Sequence, residues 1–189
     1  MDPEPPSTVA LTIGAAAWRR HLADPERVCR EALTAALARV PRPPWLAQTE
    51  VSVLLADDAT VRRLNAEYRG RDCATNVLSF PAFERILERD PGGLPPGPVP
   101  LGDIVLAFET VRAEAIAQRK PLAHHVSHLL VHGCLHLLGY DHENAEDALL
   151  MEGLERDILA QLGIPDPYGG DAEPPVAHAA GALSTETER

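Results

Sequence analysis

With 189 residues and 45% hydrophobic content, the chain suits one domain with a substantial core, and its apolar runs stop far short of the ~20 residues of a membrane span. An acidic start (Met1-Asp-Pro-Glu4) unlike a basic secretion signal, together with three widely spaced cysteines, Cys29, Cys73 and Cys134, points to a cytoplasmic protein without a disulfide framework. The net charge of −11 counts against a polyanion binder, but residues 165–189 hold −4 of it and residues 1–7 hold −2, leaving −5 for residues 8–164.

Residues 1–7 and 169–189 are rich in Pro, Gly, Ala and acids without apolar periodicity, so they read as disordered tails around a single domain over 8–168. Within it, Thr8 to Ile13 alternates and predicts a first strand. Asp24 then caps a helix opened by Pro25, with Val28, Leu33, Ala36, Leu37 and Val40 on one face before Pro41 stops it. After a Pro-rich connection, Glu50 to Ala56 reads as the second strand. Asp57 or Asp58 caps a helix that ends near Gly70. Positive charge gathers here, at Arg62, Arg63, Arg69 and Arg71. The first two read as a solvated helix face.

Thr75 to Phe80 predicts a third strand stopped by Pro81, and Arg85 to Pro100 a long loop without regular structure. Leu101 to Ala107 is a short apolar run of the kind buried on both faces. Helices follow over Glu109–Gln118, about Ala123–Leu138 and Asn144–Leu162, the last with an inward stripe of Leu149, Leu150, Leu154, Ile158 and Leu162. The expected fold is therefore α+β: one domain with a small four-stranded mixed sheet packed against about five helices. Strand order does not follow from the sequence.

Chemistry concentrates in one stretch, His132-Gly-Cys-Leu-His136-Leu-Leu-Gly139-Tyr-Asp-His142. Residues four apart on a helix share a face, so His132 and His136 can bite one ion; Gly139 ends the helix and turns the chain so that His142 arrives as a third ligand. Two histidines in an apolar helix would by themselves read as core residues, and the third His with the turn points instead to metal. Three imidazoles with one coordination position open are the pattern of a catalytic zinc site, with another divalent ion as the alternative. The spacing is shared with the long zincin signature, yet Gly133 stands where those proteases carry their Glu base, which argues against a metalloprotease. The absent side chain suggests room for a bulky phosphodiester over the metal, or else close packing against a neighbouring element. Cys134 is phased away from the ligands and reads as a small buried filler. His128, one turn back, reads as a neighbour of the metal set, not a ligand; His124 and His125 as solvated residues near a helix start. His21 and His178 have no partners, and Asp141 is either a ligand-orienting group or a turn residue.

The stretch from His128 to His142, with Leu64-Asn-Ala-Glu-Tyr-Arg69-Gly-Arg-Asp72 and Thr75-Asn-Val-Leu-Ser-Phe-Pro81, resembles the bacterial YbeY family of metal-dependent, single-strand-specific endoribonucleases over roughly residues 51–168. The resemblance implies the metal helix beneath a cleft of the four-stranded sheet, single-stranded RNA as substrate, and work in 16S rRNA 3′ end maturation and ribosome quality control beside ribosomal small-subunit proteins. The match to its Tyr-Arg-Gly motif makes Arg69 the choice for the catalytic cation, with Arg71 as the alternative, and His132 is expected to be catalytic as well as a ligand. The chain departs from the family at Cys73-Ala74, where Lys-Pro is usual, which bears on how rigidly the arginine loop is held. A non-catalytic ribosome-assembly factor with a structural metal is the rival reading.

Overall fold

The structure is a computed structural model that describes residues 7–89, 92, 94, 97–142 and 144–169. The expected tails, and with them His178, therefore fall almost wholly outside the described residues. Thr8–Ile13 forms strand β1 and Thr49–Ala56 strand β2, which pair in parallel. Parallel pairing requires a crossover, and the chain supplies it with helices α1 (Ala17–His21) and α2 (Pro25–Arg39). Asp24 caps α2 through the Arg27 N–H at 2.9 Å. Helix α1 is too short to show periodicity in the sequence. It exists because Trp18 is fully buried and donates its indole N–H to the Ala56 carbonyl at 2.8 Å.

Helix α3 (Asp58–Arg69) is capped by Asp57 and ends at Gly70, whose left-handed backbone (φ 68°) lets the chain turn back. Strand β3 (Val77–Pro81) runs antiparallel to β4 (Val99–Ala107), and β4 lies parallel to β2, giving the order β1-β2-β4-β3. The fold class is as the sequence implied, a four-stranded mixed sheet with helices, six of them α among the described residues. Three strands differ in their bounds, β2 only by starting one residue early at Thr49. β3 starts at Val77 because the Asn76 side chain takes the Val77 N–H, and it keeps Pro81, which an edge strand tolerates. Within the expected loop over 85–100, Ile86–Glu88 forms a 3₁₀ turn that buries Ile86, and β4 begins at Val99.

Helices α4 (Phe108–Ala117), α5 (Leu122–Leu137) and α6 (Ala145–Gln161) complete the chain. Residues of β4 alternate between two cores: Ile104 and Leu106 join the large core under α2 and α5, while Val105 and Ala107 join Val61 of α3 and Leu78 on the opposite face. Helix α5 is central and touches α2, α4, α6, β3 and β4.

Gly133 faces that sheet. A Cβ there would stand 3.0 Å from the Ser79 hydroxyl and 3.1 Å from Ile104, so the missing side chain serves close helix–sheet packing and does not open room for a phosphodiester. The stripe of α6 also needs correction: Leu149 and Leu150 are 68% and 56% exposed, and the buried face is Met151, Glu155, Ile158 and Leu159. The helix is rotated because it turns a carboxylate, not a leucine row, toward α5.

Candidate metal centre and cleft

His128, His132 and His136 follow one another along α5, one turn apart. The helix closes on Gly139, whose N–H returns to the His136 carbonyl at 3.0 Å and whose φ of 93° suits glycine. A Cβ there would also lie a tight 3.2 Å from Arg85 Cα, so both the backbone angle and the space disfavour a side chain at the turn. Asp141 then accepts the His142 backbone N–H at 2.7 Å, a turn contact, and its charge opposes the lowering of the His136 pKa. His142 comes back over α5, with ring centroids 5.7 Å from His132 and 5.1 Å from His136.

The three expected ligands are thus brought together. A ring nitrogen from each of His132, His136 and His142 lies within 4.8 Å of the others, and His132 Nε2 and His136 Nε2 are 3.1 Å apart. This donor set fits a divalent ion: only one hydrogen can lie between the close pair, and three neutral imidazoles suit zinc-type metals. Burial, and next the proximity of His132 and His142, push the His136 pKa down to about 4, which keeps its lone pair free at neutral pH.

Behind the cluster stands a residue that the sequence analysis did not single out. Glu155 of α6 is 1% exposed; Oε1 lies 2.8 Å from His132 Nδ1, Oε2 lies 3.0 Å from His128 Nε2, and the Tyr168 hydroxyl donates to Oε2. Burial pushes the Glu155 carboxyl up, but the hydrogen bonds of His128, His132 and Tyr168 outweigh it and hold the group at about 2. Burial, then Glu155 itself, raises the Tyr168 phenol. A signal was present: Glu155 falls between Met151 and Ile158 in the phase of the apolar face. His128 lies beside the cluster and outside it, as expected. His125 is not solvated; it is 4% exposed, its Nε2 pairs with Glu114 at 2.8 Å, and Glu114 in turn receives the Asn76 amide. Burial lowers its pKa.

A cleft of about 1210 Å³ opens over the cluster, with Arg69, Arg71 and Arg85 on its walls beside the three histidines. Arg69 is carried by the last turn of α3 and rests one guanidinium N–H on the Ser79 carbonyl of β3 at 3.2 Å. Arg71 lines the same cleft. The Cys73-Ala74 segment is held by Asn65, which donates to the Cys73 carbonyl at 2.8 Å, so the unusual dipeptide is tied to α3. Arg62 instead pairs with Asp72 on the exposed side at 2.6 Å. Cys134 is buried with its thiol pushed up to about 12 by desolvation, an inert filler as expected.

Residues 19–163 match a family model described as Endoribonuclease YbeY. A protein of that name from Bradyrhizobium diazoefficiens is 51% identical over 166 residues, covering 88% of this chain and 87% of that protein. Another from Paramagnetospirillum magneticum is 49% identical over 161 residues, covering 85% and 95%. A solution structure from Thermotoga maritima shares the fold at a TM-score of 0.50 and 21% identity, over 82% of this chain and 91% of that one.

Proposed function

Because the chain belongs to the YbeY family of endoribonucleases, we propose that it cuts single-stranded RNA by metal-assisted phosphodiester hydrolysis in the cleft over α5. The observation that carries this reading is the convergence of three imidazole nitrogens in one cleft with an anchored arginine. His132, His136 and His142 would hold one Zn²⁺ or another divalent ion. Such an ion, when bound, supplies Lewis-acid stabilisation of phosphoryl charge and lowers the pKa of water toward ~7.

The chain's own groups do the rest. Arg69, steadied on the Ser79 carbonyl, is the cation for the negative charge that builds on the phosphoryl oxygens. Arg71, on the same wall, is the alternative for that role. His132 is the second catalytic residue, since it would touch the ion and lies between His136 and Glu155. Position 133 faces Ser79 and Ile104, so no carboxylate base stands where a zincin protease has one.

The biological setting we assign is the cytoplasm, in 16S rRNA 3′ end maturation and ribosome quality control, with ribosomal small-subunit proteins as partners. The charge of −5 over residues 8–164 supports a helper, because so acidic a domain gains little from phosphate neutralisation alone. The test incubates the full chain with a single-stranded RNA spanning the 16S 3′ end, the same RNA annealed to its complement, and casein. Cleavage of the single strand alone is expected. Equal cutting of the duplex, or digestion of casein without RNA cleavage, would overturn the reading.

A further inference from the structure

Glu155 is the most deeply buried carboxylate at the site, and its partners are two imidazoles and a phenol. In this geometry both carboxylate oxygens serve as acceptors, Oε1 from His132 Nδ1–H and Oε2 from His128 Nε2–H and the Tyr168 O–H. An imidazole that donates from Nδ1 and is neutral has a bare Nε2 lone pair. In His132 that nitrogen is the one turned toward His136, 3.1 Å away. In His128 the roles are reversed, because Nε2 is spent on Glu155; this is why a histidine one turn from the cluster stays out of it.

We propose that Glu155, closed off by Tyr168, is a positioning residue that fixes His132 in the Nδ1–H tautomer and so keeps its Nε2 available as a ligand. Tyr168 lies beyond α6, and its segment is tied back: the Lys120 ammonium donates to the Pro167 carbonyl at 2.9 Å, and the Arg156 guanidinium sits over the Tyr168 ring at 5.1 Å. Tyr168 and His128 together occupy Oε2, which leaves Oε1 to His132. Without the carboxylate, His132 divides between two tautomers, and one of them points a hydrogen at the ion's place. The residue acts through His132 and does not touch the substrate.

This inference rests on the reading that the three histidines hold an ion, and the test separates the two. Imidazole ¹⁵N resonances of the metal-free full chain report the His132 tautomer directly. Zn²⁺ affinity by competition with a chromophoric chelator, with thermal melting as the fold control, is compared for the parent, Glu155→Gln and Tyr168→Phe. Expected are a single Nδ1–H tautomer in the parent and a mixture in Glu155→Gln. Zn²⁺ affinity should weaken about 10–100-fold in Glu155→Gln and less in Tyr168→Phe. Glutamine keeps the volume but cannot accept from all three donors.

An Nε2–H tautomer at His132 in the parent would overturn the inference without any variant, should Glu155→Gln fail to fold. A folded Glu155→Gln that binds Zn²⁺ as tightly as the parent would overturn it too. A parent that binds no ion would sink the metal reading itself, and the inference with it.

Discussion

Replacing Gly133 with Ala adds one methyl group to the face of α5 that lies on the sheet. Its carbon would stand 3.0 Å from Ser79 Oγ and 3.1 and 3.2 Å from Cγ2 and Cδ1 of Ile104, well inside the ~3.5–4.0 Å of an optimal contact. Ser79 can swing its hydroxyl about χ1. Ile104 is fully buried and β-branched and meets the methyl with two carbons, so helix and strand must part by a few tenths of an ångström. Overpacking of this kind costs about 1–3 kcal/mol, and Ala recovers about 1 kcal/mol of helix propensity over Gly. The net loss is about 1 kcal/mol, which lowers the melting temperature by about 2–4 °C for a chain of this size. The assay is thermal melting of the full chain beside RNA cleavage per folded molecule, and cleavage should fall no more than a few-fold. A melting temperature that rises while cleavage disappears would refute the packing account and return Gly133 to a role in substrate space.

Loss of one chelating arm in His136→Ala should strip most of the bound metal with little change in fold; elemental analysis showing full occupancy would contradict the ligand set. Arg69→Ala should keep the ion and lose about 10²–10³ in cleavage rate, as when one charge-stabilising donor is removed; if Arg71→Ala has that effect and Arg69→Ala does not, the arginines exchange roles. Acid should weaken the metal-free protein in a defined window. Since burial and the neighbouring histidines hold His136 down from 6.5 to about 4, the unfolded chain binds the proton first, so stability drops as pH falls from 6.5 to about 4. Glu155, held from 4.5 to about 2, prolongs the loss below 4.5. Denaturation midpoints that stay flat across the upper window would contradict the His136 environment.

Local signals served the sequence reading well where one residue decides one turn: Asp24 caps its helix, Asp57, one of two candidates, caps the next, and Gly70 and Gly139 end theirs. The three-histidine cluster was legible for the same reason, since an i, i+4 pair and a turning glycine are local. Strand order was not, because β1-β2-β4-β3 depends on which edges meet across the fold. Glu155 escaped because a carboxylate is expected on the wet face, and only the donors waiting on α5 and at Tyr168 make its burial tolerable. The same expectation hid the Asn76–Glu114–His125 chain and assigned Leu149 and Leu150 to the wrong face of α6. Gly133 was read toward the metal when its α carbon points into the sheet, a direction fixed only once Ser79 and Ile104 are in place.

The central claim is that one ion on His132, His136 and His142 enables RNA cleavage in the cleft that Arg69 lines. Adding Zn²⁺ stepwise to the metal-free full chain while following cleavage of a single-stranded RNA tests it most directly. Activity should be absent at the start, rise in proportion to added metal and level off at about one equivalent per chain, as a single three-imidazole site requires. Cleavage at full rate before any metal is added, or one equivalent bound tightly with no cleavage, would contradict the account.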